Sequence, residues 1–104
     1  MIQRLSDQLE KESRDLRVLA AVIEHHPIGI VRLSKETGIP DHKVRYSLRM
    51  LENDELIEAT QQGAIPGDDI GGRVEELNAG IGSLVERLES LKTELPEAED
   101  ATAD

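Results

Sequence analysis

The chain has 104 residues, a formal net charge of -10 and no cysteine. A chain of that length forms one small domain, alone or with an appended helix, and the missing thiols exclude disulfides and thiolate metal sites. The longest apolar run, "VLAAVI" at residues 18–23, is too short to span a bilayer, which predicts a soluble, cytoplasmic protein with no membrane partner.

The 22 acidic residues outnumber 12 basic ones, of which four are lysines (Lys11, Lys35, Lys43, Lys92), and Tyr46 is the single aromatic. A solvated acidic surface poor in lysine suits multimolar salt, where screening removes the self-repulsion of so much charge. The expectation is a halophilic protein, of haloarchaeal type.

Four helices follow from the apolar periodicity. Ile2, Leu5, Leu9, Leu16, Leu19 and Ile23 keep a 3-4 spacing up to His25, broken by Glu12 at one seam position. Pro27 and Gly29 predict the end of this first helix. "IVRLSKETG" predicts a short second helix, with Ile30, Leu33 and Ser34 on one face and Gly38 as its stop. Pro40 is placed to open the third helix at its first position, where a missing N–H costs nothing, and Val44, Leu48 and Leu51 form its inward stripe. "LIEAT" alternates as a strand, "QQG" turns with Gly63 supplying positive φ, and "AIP" makes a short return strand. A fourth helix is expected to start near Asp68 or Asp69, either of which suits a cap. It carries the most regular seam in the chain: Ile70, Val74, Leu77, Ile81, Leu84, Leu88, Leu91 and Leu95, in steps of four and three. "PEAEDATAD", residues 96–104, reads as a disordered acidic tail.

The stretch "LSKETGIPDHKVRYSLRMLENDELIE" resembles the winged helix-turn-helix transcription regulators, most of all small archaeal ones of the multiple-antibiotic-resistance and arsenic-repressor type. Leu33, the turn through Gly38 and Ile39, the Val44-Leu48-Leu51 stripe and the Leu56-Ile57 entry to a wing carry the resemblance, over residues 14–66. It implies a fold that is mainly α with a small β-wing. Residues 1–66 would form the winged helix-turn-helix domain with an extended first helix, and residues 67–95 a C-terminal coiled-coil dimerisation helix. Helix 40–52 would be the recognition helix. One position departs from the pattern: the usual glycine between recognition helix and wing is Glu55. Asn53 or Asp54 is therefore expected to take the left-handed conformation that ends the helix.

Residues 28–50 hold Arg32, Lys35, Lys43, Arg45 and Arg49 against Glu36 and Asp41, and form the only net-positive segment. Residues 1–27 hold four basic and five acidic residues, and residues 51–104 three and fifteen. With the stripe facing inward, His42, Lys43, Arg45, Tyr46 and Arg49 fall on the opposite or flanking faces. Arginine grips guanine bidentately, lysine and histidine reach phosphates, and tyrosine meets a thymine methyl or a phosphate. These five, with Arg32 and Lys35 on the second helix and Gln61 and Gln62 at the hairpin tip, are the expected contacts to double-stranded DNA. The bland alternative is a solvated basic face in which Tyr46 props its helix against a neighbour.

The seam of the fourth helix extends about 37 Å at 1.5 Å per residue, longer than a core of this size, and Ile2, Leu5 and Leu9 overshoot that core as well. Both excesses predict a homodimer, with Ile70, Val74, Leu77, Ile81, Leu84, Leu88 and Leu91 at the interface. A parallel pairing would set Arg87 against Lys92 of the partner, so an antiparallel or four-helix arrangement is as open as a parallel one. Gly72, Gly80 and Gly82 weaken the helix, and a closely packed neighbour makes them tolerable.

His25 and His26 are adjacent and point to different sides of a helix, while His42 has no partner at a chelating spacing, so no metal site is expected. No nucleophile–base pair or phosphate loop stands out, and "GDDIGG" lacks the lysine and preceding strand of one. The expectation is a non-enzymatic, cofactor-free regulator of transcription. The alternative is a winged-helix adaptor that binds proteins of the transcription or replication machinery and does not read DNA.

Overall fold

The structure, a computed structural model, describes residues 1–97. The acidic tail expected over residues 96–104 lies outside the described residues from 98 on. Four helices and one two-stranded antiparallel sheet follow in the order α1 (Ile2–His25), α2 (Ile30–Thr37), α3 (Asp41–Asn53), β1 (Ile57–Thr60), β2 (Gly63–Pro66) and α4 (Ile70–Leu91). No helix among the described residues is long and apolar enough to cross a membrane. The chain divides into two compact units, residues 1–70 and residues from Gly71 onward.

The first unit folds around twelve buried apolar residues, supplied by all three of its helices and its hairpin. Val18, Val22, Leu33 and Val44 are fully excluded from solvent, and Leu19, Ala21, Ile28, Ile39, Leu51, Leu56, Ile57 and Ala64 complete the core. The regular 3-4 stripe of α1 is not its core face. Ile2, Leu5, Leu9 and Leu16 are exposed, and of that stripe only Leu19 is buried. Val18 and Val22, one turn apart, lie well round the helix from Leu9 and Leu16 at 100° per residue. Thus α1 has two apolar faces, and the short one makes the core.

The α2–α3 turn is stitched by its own side chains. Gly38 takes the left-handed conformation (φ 73°) and donates its N–H to the Ser34 carbonyl at 2.8 Å, which is how a glycine closes a helix. Ser34 Oγ donates to the Ile39 carbonyl at 2.6 Å, and Thr37 Oγ1 donates to the Leu33 carbonyl at 2.7 Å. Thr37 Oγ1 also accepts the Ile39 N–H at 3.2 Å. Pro40 stands one residue outside α3, at its N-cap, instead of at the first helical position. It still donates nothing, and its carbonyl accepts from the N–H groups of Lys43 and Val44.

Within α3, Leu48 is half-buried and Ser47 is fully buried. A hydroxyl belongs in a core only with a partner, and Ser47 Oγ accepts from Arg14 Nε of α1 at 3.0 Å. The C-terminus of α3 corrects the expectation placed on Asn53 and Asp54. Asn53 is the last helical residue, Asp54 has φ -86°, and Glu55 itself is left-handed at φ 61°. The Leu56 N–H then reaches back to the Leu51 carbonyl at 2.9 Å, the long bond of a Schellman-type ending. The geometry a glycine would ease is kept, at a steric cost to Glu55 of about 1 kcal/mol.

The hairpin pairs Ile57 with Pro66, Glu58 with Ile65, Ala59 with Ala64 and Thr60 with Gly63. The segment after α1 adds a bridge that the sequence pattern did not announce. Ile28 donates to the Ala64 carbonyl at 3.1 Å and accepts from the Ala64 N–H at 2.8 Å. Gly63 sits at φ 126°, and a Cβ there would lie 2.5 Å from the Ile28 carbonyl carbon. Glycine is required at this position twice over, by conformation and by contact.

Helix α4 forms over most of its predicted length, but Leu91 ends it, so Leu95 lies off the helix. Asp69 precedes it with φ 53°, left-handed where an N-cap residue is ordinarily extended. None of its residues is buried.

Candidate nucleic-acid interface

Two elements place the basic residues of the positive segment. On α3, Val44, Ser47 and Leu51 fix one face in the core, which leaves His42, Lys43, Arg45, Tyr46 and Arg49 all exposed. The rings of His42 and Tyr46, one turn apart, meet edge to face with centroids 6.5 Å apart and planes at 88°. The Tyr46 ring stands half-exposed beside His42. On α2, Arg32 is exposed with its Nε 3.9 Å from Glu36 Oε1, and His25 Nε2 lies 3.8 Å from the same carboxylate's Oε2. Lys35 is exposed on the last turn of α2. An exposed ion pair of this length contributes little, so the Arg32 guanidinium stays available to another anion.

The exposed residues of α3 are not equivalent. His42, Tyr46 and Met50 line one side of a recess of about 470 Å³ whose other side is α1, through Gln8, Glu12 and Asp15. Arg45 and Arg49 lie outside this recess, a quarter of a turn or more round α3 from Lys43 and Met50. Thus α3 offers two arginines on an open face and a tyrosine–histidine pair on a flank shared with α1. Gln61 and Gln62 sit exposed in the turn between β1 and β2. There Thr60 Oγ1 accepts the Gln62 N–H at 3.2 Å and donates to the Gly63 carbonyl at 2.6 Å. The hairpin residues and the α2 pair line neither this recess nor the one below.

Three residues of α1 were not singled out by sequence and belong with the site. Lys11, Arg14 and Arg17 line a second recess of about 700 Å³ with Lys43 and the turn residues Gly38 and Pro40. Arg14 is held by its bond to Ser47, and Arg17 donates a guanidinium N–H to the Thr37 carbonyl. Their signal was present: three basic residues at three-residue spacing share one side of a helix. It was hidden because five acidic residues outweigh the four basic ones over residues 1–27. Asp15 is the least comfortable of these, with Oδ1 buried, without a hydrogen-bond partner, and 3.9 Å from Arg14 Nε.

Among the described residues, no cluster of three or more His, Cys, Asp or Glu side chains could hold a metal ion. On α4, Ile81, Leu84, Leu88 and Leu91 are between 41% and 55% exposed. Arg73, Arg87 and Lys92 flank this seam, while Glu75, Glu76, Glu86 and Glu89 stand away from it. No family's sequence model matches this chain, and no curated protein aligns with it significantly.

Proposed function

We propose that the chain is a homodimeric, sequence-specific DNA-binding regulator of winged helix-turn-helix type, which lays α3 in the major groove and pairs with a second copy through α4 and the start of α1. The observation that carries the reading is the outer face of α3. Arg45 and Arg49 project from a helix whose other face is locked by Val44, Ser47 and Leu51. A rigid helix with free arginines suits bidentate reading of guanine edges. The hairpin with Gln61 and Gln62 is the candidate wing, and Arg32 and Lys35 the candidate phosphate contacts of α2. The composition supports a protein adapted to high salt.

The second reading, a protein-binding adaptor, draws on the exposed apolar residues of α1 and on the fifteen acidic residues after position 50. A mobility-shift assay on genomic fragments at high KCl separates the two. The regulator reading expects a shift for the wild type that Arg45→Ala and Arg49→Ala both abolish. Absence of any such shift gives the case to the adaptor.

A further inference from the structure

The two recesses beside α3 adjoin. Both are lined by Lys11, Arg14 and Lys43, and the larger adds Arg17 and the α2–α3 turn. The result is a trough running between the middle of α1 and the first turn of α3, lined by the cations Lys11, Arg14, Arg17 and Lys43 and by four carboxylates. Its floor is prearranged. Arg14 uses one N–H on Ser47 and Arg17 one on the Thr37 carbonyl, and a guanidinium has five N–H donors in fixed geometry. Lys43 belongs both to the trough and to the flank of α3, a third of a turn or more round the helix from Arg45 and Arg49, so the trough lies beside the face assigned above to the major groove.

We propose that this trough seats the sugar-phosphate backbone of bound duplex DNA, with Lys11, Arg14, Arg17 and Lys43 as its cationic lining. The inference rests on the DNA-binding reading and extends its footprint from α2, α3 and the hairpin to α1. Phosphate is the anion of choice because planar guanidinium groups and a lysine pair fit its several oxygens. The contact carries no base information; it fixes how far round the duplex α3 is turned. Asp7 and Glu10 line the larger recess, and Glu12 and Asp15 the smaller. They repel a phosphate until cations screen them, so the seat works best in concentrated salt.

Lys11 is the residue to vary, since Arg14 and Arg17 also hold the fold together. Binding of the full-length chain is followed by fluorescence anisotropy over a KCl series, within the range where circular dichroism shows it folded. Two duplexes of equal length serve as probes: the genomic fragment retained most tightly by the wild type, and a random sequence. Lys11→Ala is expected to weaken binding to both by the same factor, on the order of fivefold, and to move the slope of log K against log salt upward by about 0.9, the value for one phosphate contact. Lys11→Arg is expected to restore both. Unchanged affinity for Lys11→Ala overturns the seat, as does a loss confined to the genomic fragment or a weaker affinity with an unmoved slope. A wild type that binds both duplexes equally removes the sequence-specific reading and leaves this test intact. A wild type that binds neither removes both.

Discussion

Residues 1–70 and helix α4 carry comparably regular apolar patterns, and the structure treats them in opposite ways. Among the described residues, the first unit contributes all twelve buried apolar residues, while α4 contributes none. The contrast recurs inside α1. Its even 3-4 stripe through Ile2, Leu5, Leu9 and Leu16 stays in solvent, and the less regular group of Val18, Leu19, Ala21 and Val22 enters the core. A period in sequence states that a helix has an apolar face. Whether that face is covered depends on a second surface: on α4, Ile70, Val74 and Leu77 are half-buried, whereas Ile81, Leu84, Leu88 and Leu91 are exposed. The two regions should therefore differ in what their stability depends on. On the proposed pairing, the α4 seam and the start of α1 should answer to the supply of a second copy, and the core around Val18, Leu33 and Val44 should not.

Gly63→Ala tests the first half of that contrast with the largest expected effect. It places a methyl group against the Ile28 backbone and forces an alanine to φ 126°. The expected loss is about 3 kcal/mol or more, from a unit whose whole stability is on the order of 4–10 kcal/mol. Urea denaturation in high salt measures it, and an unchanged midpoint would refute the close approach. Leu84→Asp tests the second half. A carboxylate in a desolvated seam costs about 3–5 kcal/mol when unpaired, so light scattering should report monomers while the unfolding of residues 1–70 keeps its midpoint. A dimer that persists removes α4 from the interface.

Two smaller effects sharpen the comparison. Gly80 and Gly82 have open space where a Cβ would stand in the single chain, and glycine costs about 1 kcal/mol against alanine in a helix interior. Gly82, away from the seam, should gain that amount on change to alanine. Gly80 flanks the seam, so Gly80→Ala should weaken the dimer if a second helix packs close. Equal gains in thermal stability for both variants would mean that nothing approaches Gly80. Smallest of all, Glu55→Gly should stabilise the first unit by about 0.5–1 kcal/mol, read as a higher melting temperature. A lower one would show that the Glu55 side chain contributes more than its backbone conformation costs.

Much of this architecture was legible in the sequence because local rules decide it. Pro27 and Gly29 mark the end of α1 at His25, Gly38 ends α2, and Gly63 turns the hairpin. What was illegible depends on contacts between distant residues. Ser47 reads as a surface residue until Arg14, 33 positions away, satisfies it in the core. Ile28 reads as part of a loop until it pairs with Ala64. Of the candidate interface, the α3 residues were visible as a local surplus of positive charge. Lys11, Arg14 and Arg17 were not, since summing over residues 1–27 cancels them and only the fold sets them beside Lys43.

The attachment of α1 has a mechanical consequence. At 1.5 Å per residue its 24 residues make a rod about 36 Å long. From Arg14 onward the rod is fastened to α3 at Ser47, to the α2–α3 turn at Thr37 and, just past its end, to the hairpin at Ala64. Its first three turns touch nothing that buries them. It is a lever whose free arm and loaded arm are equal in length, twelve residues each. A grip on Ile2, Leu5 or Leu9 would load α3 and the hairpin together, because the rod and the segment after it are fastened to both. On the function proposed above, two protomers holding each other by that arm would set the angle between their α3 helices, and with it the half-site spacing the pair could reach.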